Sequence, residues 1–156
     1  MIILNTKKDY IDHINLLKSK GEVISLVPTM GNLHKGHLSL VEIAKKKSSK
    51  VITTIFINPL QFGKDEDFDS YPRTMTQDIS NLNKINCDVL FAPKNKNEVF
   101  NNIENLKNLK SGPKGNILCG KNRPGHFDGV LKVVYTLFQL THPDLSVFGL
   151  KDFQQI

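Results

Sequence analysis

The sequence predicts an α/β fold, a Rossmann-like parallel sheet with helices on both faces. Short runs of β-branched and apolar residues, typical of strands buried on both faces, alternate with segments whose apolar residues recur at helical spacing. Polar loops that contain glycine follow three of the predicted strands. Because strands that alternate with helices form parallel sheets through right-handed crossovers, we expect these loops to meet at one edge of the sheet.

The first predicted helix has a start signal, an apolar spacing and a stop signal. It begins at the capping sequence Thr6-Lys7-Lys8-Asp9 and ends at Gly21, and its inward residues are Tyr10, Ile14 and Leu17. The apolar run 23–27 then predicts a short buried strand. Helical spacing predicts a second helix at about 36–47, with an inward face of Leu40, Ile43 and Ala44.

The same alternation continues to the end of the chain. β-branched runs and helical spacing predict strands at 51–57, 88–92 and 145–148 and helices at 75–85 and 127–140. The Asn- and Lys-rich segment 94–121 is expected to be irregular, with one short strand near 116–119. No internal repeat interrupts this order, so the 156 residues fit one domain.

Composition narrows the function classes. No run approaches the length of a membrane span, and Cys87 and Cys119 lie too far apart for a CxxC pattern, so we expect no disulfide framework and a reducing cytoplasm. The net charge of +6 is spread over scattered lysines, and no RNA-binding aromatic motif or zinc-finger spacing is present. This balance suits small anionic substrates such as ATP and a carboxylate better than nucleic acid.

Residues 28–37, PTMGNLHKGH, lie where the first predicted strand passes into a helix. Free backbone N–H groups and the positive end of a helix dipole at such a point favour a phosphate. In a helical turn His34 and His37 share one face, and Gly36 has no Cβ to block a nucleotide. An HxGH sequence alone is short enough to occur by chance. A metal site formed by the two histidines is less favoured, because no cysteine or carboxylate lies at ligand spacing nearby.

The loops after two other strands carry polar candidates. Gln61, in segment 58–63, can orient a polar substrate through a neutral amide, while Asn58 is expected to satisfy turn backbone. In segment 149–155, Lys151 can balance phosphate charge and Asp152 can accept from ribose hydroxyls, although a solvent-exposed helix start explains both equally well.

Segment 123–127, RPGHF, precedes a predicted helix. A turn with Pro and Gly explains its pattern, and we expect a structural role for His126. Arg123 can pair with a carboxylate or contact a neighbouring subunit, and the sequence leaves both open.

Taken together, these segments resemble the pantoate–β-alanine ligase (pantothenate synthetase) family of the HxGH nucleotidyltransferase superfamily. The resemblance rests on PTMGNLHKGH at 28–37, FINPLQFG at 56–63, DFDSYPRT at 67–74, RPGHF at 123–127 and FGLKDFQQ at 148–155. It implies that pantoate attacks the α-phosphorus of Mg-ATP, and that β-alanine then attacks the resulting pantoyl adenylate to give pantothenate and AMP. It also implies a homodimer. Another HxGH nucleotidyltransferase, or a noncatalytic basic domain that binds nucleotide or RNA, is the alternative.

The resemblance also implies residue roles. His37 and His34 become catalytic contacts to phosphate, Gln61 and Gln155 hold pantoate, and Gln61 also lies near β-alanine. Asp78, in the helix after YPRT, becomes a magnesium contact. The implied ATP-binding residues are Met30, Gly31, Asn32, Leu33, His34, Lys35, Gly36, His37, Gly149, Leu150, Lys151 and Asp152.

Two departures from the family pattern qualify this expectation. Leu150 stands where the family usually has a polar residue, often Glu, and only a backbone contact to ATP survives that change. The family continues beyond the position of Ile156 with a Ser-Ser-Arg loop and a small domain that covers the cleft. We therefore expect residues 1–156 to be the nucleotide- and pantoate-binding N-terminal domain without the C-terminal lid domain.

Overall fold

A computed structural model describes residues 1–63, 66, 68–101, 103 and 106–155, excluding the side chain of residue 155. Its centre is a five-stranded parallel sheet in the order β1-β4-β3-β2-β5. The strands are β1 Ile2–Leu4, β2 Ile24–Thr29, β3 Lys50–Ile55, β4 Val89–Phe91 and β5 Leu145–Ser146. The central strands are almost wholly buried, as their continuous apolar and β-branched runs predict.

Helices cover both faces of the sheet, which confirms the predicted fold class. The helices are α1 Lys7–Ser19, α2 Lys35–Lys45, α3 Met75–Lys84, α4 Asn97–Phe100, α5 Cys119–Asn122 and α6 His126–Thr141. One core cluster packs α1 and α6 against the sheet, and the other packs α2 and α3 against its opposite face. Short 3₁₀ turns lie at Pro59–Gln61, Leu106–Asn108, Pro113–Asn116 and Leu150–Gln155.

Two sequence-based expectations are wrong, and one strand was not predicted. Residues 116–119 form no strand, because Leu118 has a left-handed φ of 49° that ends any extended run and α5 begins immediately after it. In α2, Ala44 is buried and Leu40 packs against the core as predicted, but Ile43 is 42% exposed and Val41 is buried in its stead. Strand β1 is too short to show a hydrophobic period and pairs only with β4.

The pairing register brings the functional loops to one edge. β2 and β3 run in parallel from Ile24↔Lys50 to Thr29↔Ile55, whereas β5 pairs only with Ser25 and Leu26. Pro28 therefore lies beyond the end of β5, where its missing N–H removes no ladder bond. The segments that follow β2, β3 and β5 all leave from this carboxyl edge. Among the helices described, none is both long enough and apolar enough to cross a bilayer.

Candidate functional site

A cavity of about 120 Å³ opens at the carboxyl edge of the sheet, between the three predicted loops and α6. The segment after β2 contributes Met30 and His37, the segment after β3 contributes Gln61, and the segment after β5 contributes Lys151. The convergence predicted from the strand order is therefore confirmed. The full lining is Pro28, Thr29, Met30, His37, Leu40, Thr54, Phe56, Asn58, Gln61, Tyr71, Val130, Val133, Val134, Leu137, Phe148, Gly149, Lys151 and Asp152.

The chain turns sharply between β2 and α2. Gly31 and Asn32 both adopt positive φ, 87° and 51°. A Cβ on Gly31 would lie 3.1 Å from Ile55 Cγ2 and 3.2 Å from Asp78 Oδ2, so glycine is required by both conformation and space. The Thr29 hydroxyl accepts from Gly31 N–H at 3.2 Å and donates to the Thr54 carbonyl at 2.7 Å. The turn is thus tied to the end of β2 and, through Thr54, to β3.

The two histidines cap the helix that they begin. His34 is the N-cap residue, and its Nδ1 accepts from Gly36 N–H at 3.1 Å; His37 Nδ1 accepts from His34 N–H at the longer distance of 3.4 Å. The ring centroids are 4.2 Å apart, so the two side chains do share one face. Because each Nδ1 is an acceptor, each neutral ring carries its proton on Nε2. The pair can therefore donate two hydrogen bonds to an anion.

Fewer backbone amides of this turn are free than the sequence predicted. The N–H groups of Gly31, Asn32, Leu33, His34 and Gly36 already donate to side chains within the protein. The prediction of free amides across this turn is wrong for these residues, because side chains satisfy them first. The imidazole Nε2–H groups replace them as the donors available here.

The structure shows a need for glycine at position 36 that lies within the protein, and the admission of a nucleotide stays a prediction. A Cβ at this position would lie 2.9 Å from His34 Cε1 and 3.2 Å from His34 Nδ1, so glycine makes room for the capping imidazole itself. We expect Gly36→Ala to displace the His34 ring, because the ring is the movable partner. The affinity for ATP, the ligand that the family resemblance implies, should fall several-fold by calorimetry, while the melting temperature stays close to wild type. Glu42→Ala, an exposed change on the same helix, is the control; an unchanged ATP affinity in Gly36→Ala would contradict this geometry.

The environment of His37 keeps its ring neutral. Burial lowers the pKa of His37, and the neighbouring His34 and Lys151 lower it further, against smaller opposing effects of Asp152 and Asp78. Since the ordinary pKa of histidine is already below 7, His37 is an uncharged Nε2–H donor at neutral pH.

The turn after β3 is built around two amide side chains. Asn58 is fully buried: its Oδ1 accepts from Leu60 N–H at 3.1 Å, and its Nδ2 donates to Gln61 Oε1 at 3.1 Å and to the Gly129 carbonyl at 3.0 Å. These bonds give Asn58 the turn-satisfying role expected from the sequence. Among the described residues, Gln61 Nε2 donates only to the weak acceptor Met30 Sδ, at 3.1 Å. The Gln61 amide nitrogen therefore faces the cavity with donor capacity for a ligand.

A series of polar contacts from residues 123–126, which lead into α6, holds the turn Pro59–Gln61 in place. Arg123 makes a bidentate ion pair with Glu66, with Nε–Oε1 2.6 Å and Nη2–Oε2 2.8 Å. Its Nη1 donates to His126 Nε2 at 3.1 Å, and His126 Nδ1 donates to the Gln61 carbonyl at 2.8 Å. The structural role expected for His126 is thus what the structure displays. Of the two partners left open for Arg123, the structure displays the carboxylate.

The ion pair between Glu66 and Arg123 makes the stability of the protein sensitive to acid. Bonding to Arg123 lowers the pKa of Glu66 to about 2, below its ordinary value of 4.5. A depressed carboxyl pKa contributes stability that is fully present above 4.5 and is lost as the pH falls through 2. We expect the free energy of unfolding in urea to fall between pH 4.5 and 2.5, and to fall less steeply in Glu66→Gln. Asp12→Asn, at an exposed pair with Lys8, should leave the slope unchanged, and a Glu66→Gln slope equal to wild type would contradict the role of this ion pair.

Comparison with known proteins places the chain and its fold in one family. The sequence model of the Pantoate-beta-alanine ligase family matches residues 2–156. The chain belongs to the pantoate-beta-alanine ligase family. Pantothenate synthetase of Saccharophagus degradans is 46% identical over 150 residues, covering 96% of this chain and 52% of that protein. That of Neisseria meningitidis serogroup B is 51% identical over 139 residues, covering 89% and 49%. The chain spans about half the length of the curated relatives it matches.

Solved structures of the same family share the fold. Pantothenate synthetase from Thermus thermophilus superposes with a TM-score of 0.87 at 38% identity, over 99% of this chain and 54% of that one. Pantoate-beta-alanine ligase from Francisella tularensis, solved with beta-gamma ATP and beta-alanine, superposes with a TM-score of 0.88 at 41% identity, over 99% and 59%.

Only some of the site residues that the family resemblance implies line the cavity. Met30, His37, Gln61, Gly149, Lys151 and Asp152 line the cavity. Leu33 is 8% exposed and packs in the core, and Leu150 is 86% exposed. Gln155 belongs to the turn Leu150–Gln155, but its side chain lies outside the described residues. Lys151 pairs with Asp152, with Nζ–Oδ1 2.9 Å, so a phosphate would have to compete with this surface ion pair.

Asp78 does not fit the magnesium role. It is 1% exposed, and both of its carboxylate oxygens already accept hydrogen bonds, from Asn32 N–H, Leu33 N–H and the Thr74 hydroxyl. Among the described residues, no group of three or more His, Cys, Asp or Glu side chains is arranged to hold a metal. A magnesium ion needs exchangeable oxygen ligands, which this carboxylate does not offer.

Sequence reasoning missed several contributors to the site. Tyr71 and Thr54 line the cavity, and Gly129 allows α6 to approach the turn Pro59–Gln61. The signal for Gly129 was a glycine inside a strong helical pattern, which indicates a close packing contact. Neither Tyr71 nor Thr54 carries such a signal.

Proposed function

We propose that this chain binds ATP and pantoate side by side and contributes to the two-step synthesis of pantothenate. The observation that carries the proposal is the single cavity lined by the histidine segment, the Gln61 turn and the Lys151–Asp152 turn. Membership of the pantoate-beta-alanine ligase family supports the substrates. ATP and β-alanine as substrates are supported by the Francisella tularensis relative, which was solved with beta-gamma ATP and beta-alanine.

ATP phosphates would lie at the N-terminus of α2. The Nε2–H groups of His34 and His37 are directed away from the capping bonds made by Nδ1, and the positive end of the helix dipole adds to their attraction for phosphate. Lys151 supplies a point charge from the opposite turn. Donors held in advance by helix capping need no reorganisation as charge grows on the α-phosphoryl oxygens.

Pantoate would be held by Gln61. The Asn58 side-chain amide donates a hydrogen bond to Gln61 Oε1. This leaves Gln61 Nε2 to donate to a carboxylate or hydroxyl of pantoate. A neutral amide does this without repelling the anionic substrate, and it is not itself a nucleophile that competes for the α-phosphorus. Its backbone is fixed by His126 and its side chain by Asn58, so the donor is positioned before the substrate arrives.

The chemistry needs positioning more than covalent help from the protein. In the first step a pantoate carboxylate oxygen bonds to the α-phosphorus, and the bond to the bridging oxygen of pyrophosphate breaks. In the second, the β-alanine amine bonds to the acyl carbon, AMP leaves with the electrons of the acyl–oxygen bond, and the amine loses a proton. Holding the carboxylate near the α-phosphorus is the contribution of this cavity.

We further propose that the 156 residues, produced by themselves, bind both substrates but form little pantothenate. The support is that the matched relatives are about twice as long, with 52% and 50% of their lengths covered. The homodimer and the cytoplasmic location implied by the family resemblance stay predictions.

Thermal unfolding with pantoate, ATP and the pair tests this function. A ligand at 100 times its Kd stabilises a protein by about 2.7 kcal/mol, which is a shift of several degrees for a chain of this size. We expect each ligand to raise the melting temperature and the pair to raise it most. Stabilisation by ATP without any effect of pantoate would indicate another nucleotidyltransferase. Binding to nonspecific RNA that is lost at modest salt, with no effect of either ligand, would indicate the noncatalytic alternative.

A further inference from the structure

The carboxylate of Asp78 reaches from α3 to the turn that starts the histidine segment. Oδ2 accepts from Asn32 N–H at 3.0 Å, and Oδ1 accepts from Leu33 N–H at 2.8 Å. The Thr74 hydroxyl donates to Oδ2 at 3.0 Å. Asp78 is 1% exposed, so these three bonds replace the water that a carboxylate otherwise keeps.

The turn at Gly31–Asn32 depends on a hydrogen-bond acceptor from another part of the chain, such as the Asp78 carboxylate. Asn32 has a φ of 51°, a conformation that non-glycine residues adopt at a cost, and the turn points two successive amides in one direction. Without a partner, the amide of the buried Leu33 would be unsatisfied. A single carboxylate with two oxygens satisfies both amides at once.

We propose that Asp78 is a positioning residue for ATP binding: it holds the left-handed turn at Gly31–Asn32 and thereby sets the direction in which α2 and its two capping histidines leave β2. The inference rests on the proposed function for its ATP readout, but not for its structural readout. It assigns this carboxylate to the backbone of the binding segment, not to a magnesium ion.

Asp78→Asn tests the proposal with a nearly isosteric change. The asparagine keeps one acceptor oxygen and places an NH₂ group where the second amide needs an acceptor. Hydrogen exchange at the Asn32 and Leu33 amides, followed by NMR, should become faster by at least tenfold. ATP affinity should fall about 10–100-fold, since bonds to charged groups are worth about 1.5–3 kcal/mol, while pantoate affinity stays within about twofold.

Asp88→Asn is the matched control. The Asp88 carboxylate also accepts from a backbone amide, Val51 N–H at 2.9 Å. This bond lies at the start of β3, at the amino-terminal ends of the strands and thus opposite the carboxyl edge that carries the cavity. This variant should lower the melting temperature and leave ATP affinity unchanged. If both variants weaken ATP and pantoate equally, the effect is general destabilisation and the proposal is overturned.

ATP titrations with magnesium and with EDTA separate positioning from metal binding. Positioning predicts the same fold loss for Asp78→Asn in both conditions, whereas a loss confined to the magnesium titration would assign Asp78 to the metal and overturn the proposal. If Asp78→Asn does not fold, Thr74→Val removes only the hydroxyl bond and should show the same pattern with a smaller loss; wild-type ATP affinity and amide exchange in Thr74→Val would then overturn it. Failure of the wild-type chain to bind ATP would instead contradict the proposed function, and the amide exchange would still report on Asp78.

Discussion

His37→Ala should weaken ATP binding by about 10–100-fold, the value of one hydrogen bond to a charged phosphate, about 1.5–3 kcal/mol. The substitution removes the Nε2–H donor from the cavity, together with the weak capping bond that His37 makes to the N-cap residue. Calorimetric titration of ATP into the 156-residue chain measures the change. Pantoate affinity should be retained, because Gln61 is held by other residues.

His13→Ala is the control for this prediction. His13 lies on α1, which packs with α6 at the other face of the sheet from α2, and removing its imidazole should leave ATP affinity as in wild type. The assignment of His37 to phosphate is wrong if His37→Ala binds ATP as tightly as His13→Ala does.

Gly129→Ala should cause a large loss of stability. A Cβ there would lie 2.2 Å from the Leu60 carbonyl oxygen and 2.5 Å from Gln61 N, and both neighbours are backbone atoms that cannot rotate away. Overpacking typically costs about 1–3 kcal/mol, and this contact falls at the upper end, which lowers the melting temperature by about 6–12 °C. Pantoate affinity should fall as well, because α6 and the turn that carries Gln61 must separate.

Gly63→Ala is the matched change at the end of the same loop. Its Cβ would meet Glu66 Cγ at 3.7 Å, an ordinary contact, so its melting temperature should stay close to wild type. Equal melting temperatures for Gly129→Ala and the wild-type chain would show that α6 does not pack this closely on the turn.

The arrangement of the sheet and the meeting of its loops could be predicted because both depend on local patterns. The β-branched run of β3 and the apolar spacing of α1 are visible in short windows, and parallel order then brings the strand ends together. The HxGH sequence was also correctly placed at the start of a helix, with both rings on one face.

The parts that escaped prediction are contacts between a side chain and a distant stretch of backbone. Asp78 lies 45 residues from Leu33 and Asn58 lies 71 from Gly129, and neither separation leaves a periodic signal. Such bonds determine which backbone amides of the turn after β2 are free to bind a ligand. They also leave the Asp78 carboxylate with its hydrogen bonds already made. The contact of Gly36 is local but leaves no pattern either: the ring of His34, two residues away, lies against the space that a Cβ would need.

The most direct test of the account is a crystal structure of the chain with a non-hydrolysable ATP analogue and pantoate. We predict both ligands in the cavity between His37, Gln61 and Lys151, with a pantoate carboxylate oxygen within about 3.5 Å of the α-phosphorus, the separation of groups poised to react. Phosphates bound away from the two histidines, or pantoate bound away from Gln61, would contradict it.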